Sequence, residues 1–221
     1  MLYRDRREAG RRLATRLSRY ADRPDVVVLA LPRGGVPVGF EVARALRAPL
    51  DVFLVRKLGF PGQEELAMGA IASGGVRILN SDLLSHLHVP EETIEETARR
   101  EELELKRRER LYRGQRSPIA LRGKTVILVD DGLATGASML AASAALRQKE
   151  PARLVVAVPV SAPETCDQFR SVVDEIVCGE TPEPFLAVGY WYEHFEQTSD
   201  EEVRSLLEQA RNELATVVST S

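Results

Sequence analysis

The sequence predicts an α/β fold, an open parallel β-sheet with helices on both faces, and three observations carry that expectation. Val26–Leu31, Val126–Val129 and Arg153–Val160 are near-continuous apolar runs, the pattern of strands covered on both sides. Segments with helical spacing alternate with these runs, which is the order of βαβ units. Two of the runs end in charged, glycine-bearing turns, Pro32-Arg33-Gly34-Gly35 and Asp130-Asp131-Gly132, and open α/β sheets bind ligands at the carboxyl ends of their strands.

In chain order, residues 5–20 read as an amphipathic helix: Asp5 and Glu8 make a capping box, Ala9, Leu13 and Leu17 share one face, and the surrounding arginines read as a solvated face. The strand Val26–Leu31 runs into LPRGGVPVG, where Gly34 and Gly35 let backbone amides approach an anion and Arg33 adds a cation. A helix follows over 36–47 with Val38, Val42, Ala45 and Leu46 inward. The next strand, Leu50–Val55, ends in Arg56-Lys57, and Gly59, Pro61, Gly62, Gly69, Gly74 and Gly75 beyond it give the composition of a mobile lid. Glu64 and Glu65 read as solvated loop carboxylates, one of them being also a candidate acid/base.

Residues 91–112 read as a long charged helical excursion, exposed and with sparse apolar contacts at Ile94, Ala98, Leu105 and Leu111. Glu95 and Arg99, Glu96 and Arg100, Glu102 and Lys106, and Glu104 and Arg108 are spaced four apart with the acid first, the favourable order for helix support. The basic run from Lys106 to Lys124 reads as a solvated surface in preference to a nucleic-acid patch or a funnel for polyanions.

The densest chemistry lies in TVILVDDGLATGASM, residues 125–139. Gly132 and Gly136 permit tight backbone, and the amides and hydroxyls of Thr135, Gly136, Ala137 and Ser138 at a helix start form a cradle for a phosphate. Asp130 and Asp131 beside it suit sugar hydroxyls, or a hard cation bridged through water. The helix from Met139 is followed by the strand Arg153–Val160, a short helix Pro163–Phe169 and a strand Val172–Val177. Phe185, Tyr190, Trp191, Tyr192 and Phe195 then concentrate aromatic area that suits a planar base, the closing of a core or a subunit interface. Thr198 or Ser199 caps a last helix to about Leu214, and TVVSTS reads as a frayed end.

Composition narrows the function classes. A net charge of −3 gives no global pull toward nucleic acid or anionic membrane. No stretch is long enough to span a bilayer and the N-terminus lacks the apolar region of a signal peptide, so the cytoplasm is the expected location. Cys166 and Cys178 read as buried structural thiols of a reducing compartment. His86, His88 and His194 show no metal-ligand spacing. A Walker loop, a GxGxxG fingerprint and a GxSxG elbow are all lacking.

The string VILVDDGLATGAS resembles the phosphoribosyl pyrophosphate (PRPP) binding signature of the type I phosphoribosyltransferases. PRGG is placed like that family's pyrophosphate loop, VRKLGFPG is similar to the start of the catalytic loop in its adenine-using branch, and F…VGY is similar to the hood of its oxopurine branch. The resemblance implies one domain over residues 1–221, with a flexible loop and charged insertion over about 57–118 and a hood with C-terminal helix over about 181–216. It implies Mg²⁺ as cofactor, PRPP and a small nitrogenous base as partners, and a homodimer, with neither membrane nor nucleic acid bound. Asp130 and Asp131 would then hold the ribose hydroxyls and, through these or water, the metal. Gly132 and Ala134–Ser138 would hold the 5-phosphate, and Arg33, Gly34 and Gly35 the pyrophosphate, with a cis peptide at Pro32–Arg33. Arg56, Lys57 and Asp131 would serve catalysis, the first two by clamping the leaving pyrophosphate, while Tyr190 and Trp191 face the base. The chain departs from the oxopurine pattern at Ala134, where that branch carries an acid toward the purine. The competing expectations are a PRPP-binding regulator without turnover, against which the Arg56-Lys57 pair and the lack of an evident helix-turn-helix argue, and an RNA-binding protein that uses the basic segment from 106 to 124.

Overall fold

The computed structural model describes residues 1–80, 84–86 and 89–219. Its elements are α1 (Arg6–Arg16), β1 (Val26–Ala30), α2 (Gly35–Leu46), β2 (Leu50–Val52), β3 (Val55–Phe60), β4 (Gln63–Ala72), β5 (Val76–Leu79), α3 (Glu91–Arg113), β6 (Thr125–Val129), α4 (Ala137–Arg147), β7 (Arg153–Val160), α5 (Pro163–Phe169), β8 (Glu175–Glu180) and α6 (Asp200–Ser219), with short 3-10 turns at Ser18–Tyr20 and Val188–Trp191. Five strands form a parallel sheet in the order β2-β1-β6-β7-β8. The direction of succession reverses between β1 and β6, and that switch point is where an α/β sheet leaves a crevice for ligands. Pairing of Ala30 with Val129 ends both strands at one level, so the turns after Leu31 and after Val129 emerge side by side.

Both faces are covered, as the apolar runs require. Val126, Leu128, Val156 and Val158 pack against Met139, Ala142, Leu146 and Phe169 of α4 and α5. Val28, Ile127 and Val155 pack on the other side against Leu13, Leu17, Val38, Val42 and Leu46 of α1 and α2. Asp5 caps α1 by accepting the Glu8 amide at 2.8 Å, as its spacing predicts.

Several local expectations give way to longer-range packing. The strand expected over Leu50–Val55 splits: the Leu54 carbonyl accepts the Ser73 amide (2.9 Å), which turns the chain out of the parallel sheet. The stretch read as a glycine-rich lid forms a second, antiparallel sheet, β3-β4-β5. Gly62, Gly74 and Gly75 occupy its hairpin turns with positive φ, while Leu58, Met68 and Ile71 are fully buried beneath it. The side chains of Glu64 and Glu65 lie outside the described residues, as do Ser81–Leu83, Leu87 and His88.

Helix α3 is not an exposed excursion. Ala98, Leu105 and Tyr112 are buried against Phe40, Leu58 and Leu206. Arg113, read as surface charge, is buried, with Nε 2.9 Å from Asp51 and Nη2 donating to the Val52 carbonyl at 2.6 Å. Of the expected helix pairs, Lys106–Glu102 (2.6 Å) and Arg108–Glu104 (3.0 Å) form, whereas Glu95 meets Arg77 of β5 at 2.6 Å. The last strand starts at Glu175 because Val172 and Val173 fold back onto the Phe169 carbonyl at the end of α5. Cys166 and Cys178 are not free thiols: α5 packs on β8 and the two are joined as a disulfide. No helix among the described residues is long and apolar enough to cross a membrane.

Candidate functional site

The turn after β1 and the turn after β6 meet at the switch point. In the first, the Pro32–Arg33 peptide is cis, and the Gly35 amide donates back to the Leu31 carbonyl at 3.1 Å, winding the chain straight into α2. Gly34 and Gly35 press against the acid pair. A Cβ on Gly34 would overlap the Asp131 carboxylate, and one on Gly35 would stand 2.9 Å from Asp130 Cα, so neither position admits a side chain without displacing the acids. Arg33 is half-buried and reaches Asp200 at the start of α6 (3.9 Å); Asp200 also accepts from the Tyr112 hydroxyl at 2.6 Å. Burial and that carboxylate push the Tyr112 phenol up to about 12.

Asp130 and Asp131 stand next to each other at the end of β6, and the Asp131 amide donates to Asp130 Oδ1 at 2.8 Å. Burial raises the Asp130 carboxyl well above the usual aspartate range, and the neighbouring Asp131 charge adds to it. Burial also raises Asp131, opposed by the guanidinium of Arg6, whose Nε donates to Asp131 Oδ2 at 2.8 Å. The Tyr192 hydroxyl donates to the Asp131 carbonyl at 2.6 Å.

Beyond the acids the chain forms the cradle. The Leu133 amide donates to the Val160 carbonyl (2.9 Å) and the Ala162 amide to the Leu133 carbonyl (3.0 Å), which stitches the turn to the end of β7. The Thr165 hydroxyl donates to the Ala134 carbonyl at 2.6 Å. Gly136 sits at φ 72°, where an L-residue is strained, and the Thr165 and Phe169 side chains lie where its Cβ would be. Ala134, Thr135, Ala137 and Ser138 are exposed above this support, and the first amides of α4 have no acceptor within the helix. The arrangement offers main-chain donors and hydroxyls to an anion without a cation in the loop itself.

The remaining expected residues are distributed unevenly. Lys57 borders a cavity of about 280 Å³ shared with Ala137, Ser138 and Ala141 at the cradle's edge. Arg56 faces the other way along β3, its Nε 2.6 Å from Glu101 of α3. Tyr190 is exposed and stands edge-on to Trp191, with centroids 5.6 Å apart. Val188, in the same turn, lies over Gly132 and brings this hood to the signature loop. Tyr192 is core, packed on Tyr3 and Phe195.

Sequence reasoning overlooks Arg6, Thr165 and Asp200, and it names Tyr192 only within the aromatic cluster, without its bond to the Asp131 carbonyl. It reads the α1 arginines as solvated, but Arg6 is on Asp131, and Arg7 and Arg11 reach the buried Glu41 at 2.8 and 3.3 Å. The alternation of six arginines over residues 4–16 carries no mark that distinguishes these partners. Among the described residues no group of three or more His, Cys, Asp or Glu side chains is arranged to hold a metal alone.

The sequence profile of the phosphoribosyl transferase domain matches residues 62–182. Two curated proteins of Mycobacterium tuberculosis, "Putative phosphoribosyl transferase MT0597" and "Putative phosphoribosyl transferase Rv0571c", are each 46% identical over 214 residues, covering 97% of this chain and 48% of theirs. The chain thus spans about half the length of the curated relatives it matches. The crystal structure of TT1426 from Thermus thermophilus superposes with a TM-score of 0.84 at 44% identity, covering 95% of this chain and 99% of that one.

Proposed function

The chain belongs to the phosphoribosyl transferase domain family, and from that premise we propose that it transfers ribose 5-phosphate from PRPP to a small nitrogenous base with release of pyrophosphate. The observation that carries the reading is the packing of Gly34 and Gly35 directly on Asp130 and Asp131, with the anion cradle continuing from the same acids. Three functions that the reaction needs, holding sugar hydroxyls, a diphosphate and a monophosphate, fall on one contiguous surface.

In this reading the base nitrogen's lone pair forms a bond to C1 of the ribose as the C1–O bond to pyrophosphate breaks, and the proton the base loses passes to water or to the departing pyrophosphate. Asp131 accepts hydrogen bonds from the sugar hydroxyls, the amides of residues 135–138 hold the 5-phosphate, and Arg33 with the Gly34 amide, beside Gly35, holds the diphosphate. Lys57 and Arg56 offset the charge of the leaving group, the main electrostatic demand of the step. Tyr190 and Trp191 flank the acceptor. Two adjacent carboxylates fit Mg²⁺, which takes one or two such ligands beside water and phosphate oxygens; Asp130 and Asp131 would hold it through water or ribose hydroxyls. When bound, the ion supplies positive charge to the phosphoryl oxygens. Ala134 offers no proton acceptor, so an acceptor needing a base at that position is disfavoured.

The binding-only reading is favoured by one contact, the Arg56–Glu101 pair, which keeps one clamp cation on α3. Incubating the protein with Mg²⁺, PRPP and each candidate base while monitoring pyrophosphate separates the two. Base-dependent release supports transfer; PRPP binding without release from any base supports the regulator.

A further inference from the structure

Three separate parts of the site meet on the guanidinium of Arg6. Its Nε donates to Asp131 Oδ2 (2.8 Å), its Nη1 donates to the Glu196 carbonyl (2.7 Å), and its central carbon lies 3.8 Å from the centre of the Phe195 ring. The same Nε is 3.2 Å from where a Cβ on Gly34 would stand, which places the charge against the diphosphate-binding turn as well as the acid pair. The side chain is only 12% exposed. Its neighbours on α1 have other partners: Arg7 and Arg11 go to Glu41, and Arg16 goes to Glu180.

PRPP carries several negative charges, and on the reading above it must sit beside two carboxylates. An anionic ligand next to anionic side chains is disfavoured unless a cation lies between them. Arg6 lies at that junction. A guanidinium has five N–H donors in one plane, more than Asp131 and the Glu196 carbonyl consume, so donors remain for ligand oxygens.

We propose that Arg6 is a substrate-positioning residue: it fixes the Asp131 carboxylate for the sugar hydroxyls and presents its charge to the diphosphate held on the Arg33–Gly35 turn. The N-terminal helix is therefore part of the site, linking the acid pair to the hood through Phe195 and Glu196. This inference rests on the PRPP reading of the same surface.

The test compares wild type, Arg6→Ala, Arg6→Lys and the surface control Arg4→Ala by calorimetry with PRPP and Mg²⁺, and by KM against kcat wherever turnover is detected. Arg6→Ala is expected to weaken PRPP binding and raise its KM about 10- to 100-fold, the range for losing a charge-assisted hydrogen bond, with a smaller change in kcat. Guanidinium ion added at low millimolar concentration should restore part of that loss, which a purely structural role would not allow. Arg6→Lys keeps the charge without the planar fork and should be intermediate, while Arg4→Ala should match wild type. A folded Arg6→Ala protein that binds PRPP within twofold of wild type overturns the proposal. Should Arg6→Ala fail to fold, wild-type affinity in Arg6→Lys overturns it. Failure of the wild type itself to bind PRPP removes the parent reading and this one together; wild-type binding that is indifferent to Arg6 removes this one alone.

Discussion

The turn that follows β6 and the small antiparallel sheet both border the first turns of α4, yet different contacts hold them. The turn is fixed by the main chain: the Leu133 amide on the Val160 carbonyl, the Ala162 amide on the Leu133 carbonyl and a glycine at φ 72°. The sheet, whose strands pair with one another through the main chain, is fixed to its surroundings by side chains that reach far along the sequence, with Leu58, Met68 and Ile71 buried below it and Arg56 and Arg77 paired with Glu101 and Glu95 of α3. Main-chain hydrogen bonds and glycine geometry specify one conformation, whereas partly exposed ion pairs contribute little and weaken with salt. On the proposed reading, the rigid half would grip the sugar phosphate, and the other half carries cations that can be redirected.

The largest effect should come from the rigid half. Gly34→Ala puts a methyl group into the Asp131 carboxylate, so we expect calorimetry to show PRPP affinity falling by roughly 100-fold or more, the scale of losing two or more charged hydrogen bonds. Near-normal affinity would mean that the two turns can separate, and the contrast would fail. Arg56→Ala should do the reverse of a binding defect: turnover slows about 10- to 100-fold, the scale of losing one charge-assisted hydrogen bond in the transition state, while PRPP affinity changes little. Stopped-flow kinetics alongside binding would check that split, and unchanged turnover would remove Arg56 from the clamp. Thr165→Val deletes one prop beneath the cradle and should weaken ribose 5-phosphate binding about fivefold, equivalent to about 1 kcal/mol.

The smallest effect is on stability and runs the other way. Asp130 and Asp131 have folded-state pKa values above the ordinary aspartate value of about 4. Their contribution to stability is complete below that value and is lost as pH rises through their raised folded values. The ligand-free protein should therefore lose thermal stability from this pair as pH climbs from about 4. Asp130→Asn should flatten that slope and raise Tm near neutrality by a few degrees, on a scale of about 2–4 °C per kcal/mol for a chain of this size. A lower Tm in Asp130→Asn would show that the carboxylate is better stabilised in the fold than its burial indicates.

The same contrast explains what the sequence disclosed. The turns through Gly34 and Gly35 and through Asp130, Asp131 and the run to Ser138 were legible as backbone features because a glycine-bearing turn at a strand end depends on local chain geometry, which residue order expresses directly. The central strands were legible because they are buried on both faces. The β3–β5 sheet was not: its glycines signal mobility equally well as hairpin turns, and only the depth of Leu58 and Met68 decides between them. Helix α3 concealed its buried stripe under charge, and the partner of Arg113, Asp51, is 62 residues away. Nothing in the spacing of Cys166 and Cys178 announced that α5 would lie on β8. Arg6 was one of six similar arginines in a short span.

Hydrogen–deuterium exchange with and without PRPP and Mg²⁺ tests most directly whether the two turns at the switch point form one sugar-phosphate site. Ligand addition should slow exchange at the amides of residues 33–35 and 133–138 together, with little change at the far end of the sheet around β8. Slower exchange confined elsewhere, or unchanged exchange at 133–138 under saturating PRPP, would contradict it.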